Sequence, residues 1–375
     1  MKIVADENIP YAQALFSTLG DVRLVPGRSL QRADVIDADI LLVRSVTRVN
    51  EALLHGTPVK FVGTCTIGTD HLDKRYLDAQ NITYTSAPGC NANSVVQYAL
   101  AALAHLDKID KNLRYAVVGC GNVGGRLYRA FHHLGLDCVG IDPYLTTDDI
   151  PQLGEFSAIY ACDVICVHTP LLRKGLHPTY HLFNQSVLDK LKPGAVLLNA
   201  GRGDVIDNEA LHNKLKTSSD LQVVLDVWEN EPTIHTDLLK QVTIGTPHIA
   251  GYSFEGRVNG STMIFQALSQ FLEKDVTWQN TILTPLLEQV LGERVSIKHT
   301  DMMSTLLATH PIYGDHQRLM AVADNVSNEF DRLRKTYPQR REFTHYVLSS
   351  SLENTPQDEH GCLEKLGFVF SDASL

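Results

Sequence analysis

The sequence predicts an α/β fold built on parallel sheets, and two observations support this. Short apolar runs, such as Ile3–Ala5 and Ile40–Val43, alternate with helical patterns along the chain, which is the β-α-β rhythm of a parallel sheet. A glycine-rich loop, Val117–Gly125, also connects an apparent strand to an apparent helix. We therefore expect a doubly wound parallel sheet around this loop, with right-handed crossovers.

The glycine-rich loop has the G-x-G-x-x-G spacing of a dinucleotide-binding turn. Its first glycine permits the tight turn, its second lets the backbone approach a pyrophosphate, and its third lets the helix pack close to the sheet. The amino terminus of the helix adds free N–H groups and a partial positive charge that suit phosphates. The loop therefore predicts a Rossmann-type cofactor site that includes Gly119, Gly121, Asn122, Val123 and Gly124.

Asp142 ends the strand that follows the glycine-loop helix, and its carboxylate can accept hydrogen bonds from both hydroxyls of an adenine ribose. A 2′-phosphate at the same place would face a like charge. Two unit charges about 4 Å apart repel by roughly 4 kcal/mol at an effective dielectric constant of about 20. We therefore predict NAD rather than NADP as the cofactor. The alternative is that Asp142 only caps the turn before Pro143.

Three chemically matched side chains each follow an apparent strand, namely Arg202, Glu231 and His248. In an open α/β sheet the ligand crevice lies beyond the carboxyl ends of the strands, so all three are expected at the correct edge. A neutral imidazole at His248 could take a hydroxyl proton as a hydride leaves, and Glu231 could orient that ring. Arg202 offers a planar fork for a carboxylate. Taken singly, each has a structural alternative: a core histidine, a solvated loop arginine and a surface glutamate.

The remaining histidines give no metal signal. His132, His133 and His168 are interpreted as structural, and no H-E-x-x-H or comparable ligand spacing occurs, so we predict no catalytic metal.

The same rhythm predicts the domain organisation of this 375-residue chain. The helical segment Ser261–Leu272 is expected to return to the first domain, and the pattern breaks near Asn280–Pro285. We expect a small first domain completed by the returning helix, a nucleotide domain and a C-terminal domain: 1–92 with 257–280, 93–256 and 281–375.

In the C-terminal domain, apolar residues three or four positions apart predict one face of a single helix: Leu319, Val322, Val326, Phe330 and Leu333. Either a core helix or a subunit interface fits this stripe. Arg332, Arg334 and Lys335 crowd the last turn, where cations suit the helix dipole.

Composition limits the classes of partner. The net charge of −10 and the pI of about 5.9 argue against nucleic acid or an anionic membrane as the main partner, although a local basic pocket for an anionic substrate remains open. The seven cysteines lack a metal or redox spacing, and we find neither a signal peptide nor an apolar span. These features favour a cytoplasmic protein with reduced thiols.

The motifs, in this order, resemble the D-isomer-specific 2-hydroxyacid dehydrogenases over about residues 1–280: Gly119–Gly124, Val167–Pro170, Leu198–Gly203, Asp226–Pro232 and Thr246–Gly251. The resemblance implies an NAD domain beside a smaller flavodoxin-like α/β substrate domain. It also implies that Arg202, Glu231 and His248 form the catalytic set, and that Asp142 binds the adenosine ribose. By the same resemblance, three further residues line the cofactor cleft: Thr169, Asp226 and Gly251.

Other segments are similar to one branch of that family, which oxidises a small phosphorylated hydroxyacid: Leu41–Thr47, Gly63–His71 and the Gly-Tyr-Ser after His248. In that branch the residues matching Ser45, Thr66 and Tyr252 contact the substrate, and a C-terminal α/β domain supports a homodimer. Arg44 or Arg257 could supply charge to the anionic substrate, but the sequence does not say which group meets the phosphate. Two alternatives remain open, namely a relative acting on another hydroxyacid and an NAD(H)-sensing protein that acts through a partner.

Overall fold

A computed structural model describes residues 1–217, 220–349 and 357–371 of the chain. The strands are β1 (Lys2–Asp6), β2 (Asp21–Val25), β3 (Ile40–Val43), β4 (Phe61–Thr64), β5 (Thr83–Thr85), β6 (Arg114–Val118), β7 (Asp137–Ile141), β8 (Val164–Val167), β9 (Val196–Asn199), β10 (Gln222–Leu225), β11 (Ile244–Gly245), β12 (Val295–Lys298), β13 (Tyr346–Ser349) and β14 (Val369–Phe370).

The α-helices lie between these strands, and short 3₁₀ turns complete the connections. The helices are α1 (Ala12–Phe16), α2 (Arg32–Val35), α3 (Glu51–Leu54), α4 (Lys74–Ala79), α5 (Ala92–His105), α6 (Gly124–His133), α7 (Gln185–Leu188), α8 (Asn208–Thr217), α9 (Thr236–Leu239), α10 (Phe254–Phe271), α11 (Val276–Leu291), α12 (Met302–Thr309), α13 (Ile312–Met320), α14 (Val326–Lys335) and α15 (Gln357–Leu366).

The chain forms two compact units, and the first comprises residues 1–91 and 254–293. Its parallel sheet has the order β2-β1-β3-β4-β5, which is the flavodoxin-like order. Helix α10 packs on this sheet because Gly63 in β4 has no side chain. A Cβ atom there would lie 2.5 Å from the Ile264 side chain. The segment that was expected to return therefore packs with residues from the start of the chain.

The described part of the second unit comprises residues 92–217, 220–253, 294–349 and 357–371. Its main sheet has the order β11-β10-β9-β8-β6-β7, again parallel. The chain passes from β7 across β6 to β8, so the strand order reverses between β6 and β8. Ligands bind at such a switch point in doubly wound sheets. The sheet is buried on both faces, as the continuous apolar strands require. The predicted fold class is confirmed.

The C-terminal part differs from the predicted third domain, because its described residues, 294–349 and 357–371, belong to one compact unit with the nucleotide-domain residues. A small parallel sheet of β12, β13 and β14 lies here. Leu306, Ile312 and Leu348 share one hydrophobic core with residues of α5 and α6. Helix α11 runs through the predicted boundary at 281, and its Leu283 lies in the core of the first unit.

The apolar stripe of the C-terminal segment lies on two helices, so the prediction of a single helix was wrong. Leu319 belongs to α13, whereas Val326, Phe330 and Leu333 belong to α14, and a 3₁₀ turn at Ala323–Asn325 separates the helices. All four residues are buried in the core that also contains strand residues of the main sheet. They are core residues of this unit. No described helix combines the length and apolarity needed to cross a membrane.

Replacing Phe330 with alanine should lower the free energy of unfolding by about 3–5 kcal/mol, because a fully buried aromatic ring leaves a cavity. Ser327→Ala on the exposed face of the same helix is the matched control. Urea unfolding at several protein concentrations measures both. Equal midpoints for Phe330→Ala and the parent would contradict a core position for this residue.

Candidate active site

The glycine-rich loop lies at the switch point between β6 and β8. Gly119 has φ of +85°, which favours glycine, and a Cβ atom there would lie 2.8 Å from the Thr169 backbone nitrogen. A Cβ atom at Gly124 would overlap the Gly119 carbonyl oxygen, so helix α6 can begin close to the strand only with glycine. A Cβ atom at Gly121 would meet no atom of the other described residues within 4 Å, apart from its chain neighbours. The loop therefore leaves room for a group that approaches its backbone.

Asp142 both caps this loop and keeps acceptor capacity. Its Oδ2 accepts a hydrogen bond from the Cys120 N–H at 2.9 Å, and its Oδ1 accepts one from the Tyr144 N–H at 3.0 Å. Asp142 therefore does cap the turn before Pro143, as the alternative interpretation expected. Because each carboxylate oxygen has two lone pairs, Asp142 can still accept hydrogen bonds from ribose hydroxyls.

Thr169 gives an independent sign of a ligand at this edge. It follows β8, and its Oγ1 atom is buried with no hydrogen-bond partner among the described residues. Buried hydroxyls normally have a partner, so the atom is available to a bound molecule. Together with the open space at Gly121 and the free acceptor positions on Asp142, it shows that the residues present fit a dinucleotide.

Glu231 and His248 form a hydrogen-bonded pair, with His248 Nδ1 2.7 Å from Glu231 Oε2. The Trp228 N–H donates to Glu231 Oε1 at 2.9 Å. Burial raises the pKa of Glu231, but the charge and hydrogen bond of His248 and the Trp228 N–H outweigh burial, so the pKa is lowered overall. An ionised carboxylate only accepts, so Nδ1 carries a proton and Nε2 is left to exchange one.

The adjacent Glu229 has a different role. Its Oε1 lies 2.6 Å from His181 Nε2, and its Oε2 accepts a hydrogen bond from the Asn208 N–H at 2.9 Å. The structure therefore separates the two glutamates of the Trp-Glu-Asn-Glu stretch. Only Glu231 pairs with His248.

Asp226 holds the backbone that carries His248. Its side chain is only 1% exposed. Oδ1 accepts hydrogen bonds from the Ile249 N–H and the Thr246 hydroxyl, both at 2.7 Å. Oδ2 accepts one from the Ala250 N–H at 2.9 Å. Burial raises the pKa of Asp226, although His248 and these hydrogen bonds act in the opposite direction. His248 itself has φ of +57°, an unusual conformation for a residue with a side chain. The buried carboxylate thus fixes a strained turn.

Arg202 lies on the neighbouring loop after β9. Its Nη1 donates to the Gly201 carbonyl at 2.9 Å, and its own carbonyl accepts from Asn199 Nδ2 at 2.9 Å. A Cβ atom at Gly203 would overlap the Trp228 backbone. The loop of Arg202 therefore packs directly against the turn that leads to Glu231.

Ser45 and Thr66 lie in the first unit, after β3 and β4, at the carboxyl edge of its sheet. The Ser45 side chain is exposed. Thr66 Oγ1 lies 2.9 Å from Thr64 Oγ1, which in turn lies 3.0 Å from His71 Nε2. The other predicted site residues all belong to the second unit.

His168 is structural, as its surroundings show. Both ring nitrogens are buried without a partner among the described residues, and burial lowers the pKa of His168 to about 4. The ring is therefore neutral near pH 7. The backbone of His168 lies close to the glycine loop, because a Cβ atom on Gly119 would lie 2.9 Å from the His168 carbonyl carbon.

One residue near the site was not predicted from the sequence. Arg334, in the last turn of α14, places its guanidinium carbon 5.5 Å from the centre of the Tyr252 ring. Tyr337 meets the same ring edge-on at 6.1 Å. From the sequence, Arg334 was expected only to interact with the helix dipole, because nothing local indicates that α14 packs against Tyr252.

Comparisons with known proteins agree with this geometry. Residues 104–250 match the D-isomer specific 2-hydroxyacid dehydrogenase, NAD binding domain. The chain is 53% identical to an erythronate-4-phosphate dehydrogenase of Teredinibacter turnerae over 94% of this chain and 95% of that protein. It is 52% identical to the enzyme of the same name from Saccharophagus degradans, over 98% and 99%. The chain belongs to the erythronate-4-phosphate dehydrogenase family.

Members of this family are NAD-dependent dehydrogenases, and the predicted cofactor, NAD, is confirmed at the level of the family and its NAD binding domain. Solved structures agree in fold. The NAD⁺-bound 3-phosphoglycerate dehydrogenase of Entamoeba histolytica has a TM-score of 0.62 at 23% identity, over 73% of this chain and 95% of its own. The D-lactate dehydrogenase of Aquifex aeolicus has a TM-score of 0.61 at 19% identity, over 76% and 98%.

The buried His168 predicts a pH dependence of stability. The folded protein holds the ring neutral, whereas the unfolded chain takes up a proton below the ordinary pKa of 6.5. Stability should therefore be intact above pH 6.5 and fall between 6.5 and about 4, by up to about 3 kcal/mol from this residue.

Urea unfolding of the NAD-free protein across this range measures the effect. His168→Leu should flatten the curve, and His55→Leu, at an exposed position, should not. If the unfolding free energies of His168→Leu and the parent changed with pH in parallel, His168 would not be the source of the pH dependence.

Proposed function

We propose that the chain oxidises 4-phospho-D-erythronate at C2, giving 2-oxo-3-hydroxy-4-phosphobutanoate with reduction of NAD, as a step in pyridoxal phosphate (vitamin B6) biosynthesis. The observation that carries the proposal is the 2.7 Å pair of His248 Nδ1 and Glu231 Oε2, which leaves Nε2 to exchange a proton. The substrate follows from the printed names of relatives at 52–53% identity.

His248 is the general base of this proposal. Its Nε2 takes the proton of the C2 hydroxyl, and the positive charge that forms on the ring is stabilised by the ionised Glu231. The lowered pKa of Glu231 supports this role, because the carboxylate stays charged throughout. The Trp228 N–H fixes the other oxygen of Glu231, so that the imidazole keeps one orientation. When bound, NAD supplies the hydride acceptor.

Substrate and cofactor contacts complete the proposal. Arg202 offers two parallel N–H groups to the substrate carboxylate and polarises the oxygen on C2. Tyr252, Ser45 and Thr66 are proposed to contact the substrate. The residues proposed to bind NAD are Gly119, Gly121, Asn122, Val123, Gly124, Asp142, Thr169, Asp226 and Gly251. For Asp226 the contacts described above support an indirect contribution, through the turn at 246–250.

We further propose a cytoplasmic homodimer. The placement of six of the seven cysteines in the buried interior supports a reducing compartment. Val295 and Tyr313 of the C-terminal segment are large apolar residues with 46% and 44% exposure, which supports an interface in this part of the chain. Light scattering during size-exclusion chromatography tests the subunit number, and a single-chain mass at every concentration would reject the dimer.

The deciding experiment compares several substrates in the parent protein and the turnover of the parent with that of His248→Ala. Purified protein with NAD should form NADH from 4-phosphoerythronate faster than from 3-phosphoglycerate, glycerate or other 2-hydroxyacids. His248→Ala should lower kcat by about 10²–10⁴-fold, because it removes the base, while the Kd for NAD stays unchanged. A preference for another hydroxyacid would reject the substrate. A mild effect of His248→Ala would reject the base.

Asp142→Ala should weaken NAD binding and narrow the preference for NAD over NADP, because it removes the ribose acceptor and the repulsion of a 2′-phosphate. Asp148→Ala, at a nearby exposed position, is the control. Titration calorimetry with both nucleotides measures the effect. An unchanged Kd for NAD would leave Asp142 with only its turn-capping role.

A further inference from the structure

Arg334 is a largely buried arginine, and one of its donors has no hydrogen-bond partner in the part of the chain that the structure describes. Its side chain is 15% exposed, and its Nη1 lies 3.4 Å from Asp331 Oδ1, a long contact. Its Nε is buried with no hydrogen-bond partner among the described residues. A guanidinium has five N–H donors, and leaving buried donors unused is costly.

Nearby arginines differ in this respect. Arg340, in the same segment, contacts both the Asp315 carboxylate and the Tyr337 hydroxyl, so its donors are satisfied within the chain. Arg332, two residues before Arg334, is exposed and pairs with Glu329. Arg334 alone among these three is largely buried with a weak partner.

Arg334 lies beside Tyr252, which the resemblance to the family places at the substrate. The guanidinium carbon lies 5.5 Å from the centre of the Tyr252 ring, within the range of a cation–π contact. Burial lowers the pKa of Arg334, but Tyr252, Glu231 and Asp331 together outweigh burial and raise it, so the group stays charged. A permanent cation with spare donors thus stands beside the tyrosine that follows the His248 turn.

We propose that Arg334 binds the phosphate group of the substrate and so determines the preference for a phosphorylated hydroxyacid. This inference rests on the function proposed above, in which Arg202 takes the carboxylate and the phosphate remains without a cation in the second unit. A phosphate monoester carries close to two negative charges and three acceptor oxygens, which match the planar fork of arginine. The residue is contributed by the C-terminal segment, outside the matched NAD binding domain at 104–250.

A different role would be to keep Glu231 ionised, since Arg334 is among the groups that lower the pKa of that carboxyl. In that case Arg334 would act through the catalytic pair, and every substrate would be affected alike. Phosphate binding instead affects only substrates that carry a phosphate. This difference separates the two roles.

The test compares Arg334→Met and Arg334→Lys with Arg332→Met, an exposed control on the same helix turn. For each protein, kcat and KM are measured with 4-phosphoerythronate and with D-erythronate, which lacks the phosphate. Inhibition by inorganic phosphate serves as a direct probe. The Kd for NAD and the urea midpoint report whether each variant is folded.

We expect Arg334→Met to raise KM for 4-phosphoerythronate by about 10- to 100-fold, the effect of losing a hydrogen bond to a charged group. Its kinetics with D-erythronate should change far less than those with 4-phosphoerythronate, and the Ki for inorganic phosphate should rise. Arg334→Lys should recover part of the loss, because it restores the charge without the fork.

Four results would overturn the inference. Equal losses on both substrates with a shifted pH profile would make Arg334 a positioning residue for Glu231. If Arg334→Met folds and keeps the parental KM for 4-phosphoerythronate and the parental inhibition by phosphate, Arg334 has only a structural role. If Arg334→Met does not fold, the test moves to Arg334→Lys. Parental values of KM and of the Ki for phosphate in that variant would also show that Arg334 does not bind the phosphate. A parent that prefers another hydroxyacid would instead reject the proposed function itself, and this inference with it.

Discussion

The geometry of the site depends on one buried carboxylate. Asp226 is almost inaccessible to solvent, and it accepts hydrogen bonds from the N–H groups of Ile249 and Ala250 and from the Thr246 hydroxyl. These bonds hold His248 between them in a left-handed conformation that a histidine rarely adopts. Without that turn, Nδ1 of His248 would not meet Glu231. The carboxyl group is tolerated in the interior because hydrogen bonds from Thr246, Ile249 and Ala250 engage both of its oxygens.

The C-terminal segment is part of the same structure rather than an addition to it. The Tyr98 hydroxyl lies 2.8 Å from Thr246 Oγ1, so α5 supports the turn that Asp226 holds. On its other side the Tyr98 ring meets His310 edge-on at 5.6 Å. The buried Glu342 accepts hydrogen bonds from Ser253 and Asn93, at 2.8 and 3.1 Å. Residues after 294 thus stabilise both ends of the nucleotide-binding segment.

Much of this could be predicted from the sequence because parallel sheets place strand ends at one edge. The glycine spacing and the acid at Asp142 predicted the nucleotide loop, and the polar residues after β9, β10 and β11 predicted Arg202, Glu231 and His248. The strength of these predictions is that they depend on local patterns. The break between α13 and α14 was missed because the apolar spacing continues through the turn. Arg334 was missed because its role depends on which helix packs on Tyr252.

The C-terminal segment that carries Arg334 lies outside the matched NAD binding domain at 104–250. The 3-phosphoglycerate and D-lactate dehydrogenase structures align over 73% and 76% of this chain but over nearly all of their own. The shared fold therefore covers about three-quarters of this chain but not all of it. Leaving a buried donor such as Arg334 Nε without a partner costs about 1–3 kcal/mol. Core packing alone gives no reason to keep an arginine at such a position. Natural proteins keep such local conflicts mainly at functional sites. The Nε of Arg334, which has no partner among the residues that the structure describes, is thus the donor that the proposed contact with the substrate phosphate would use.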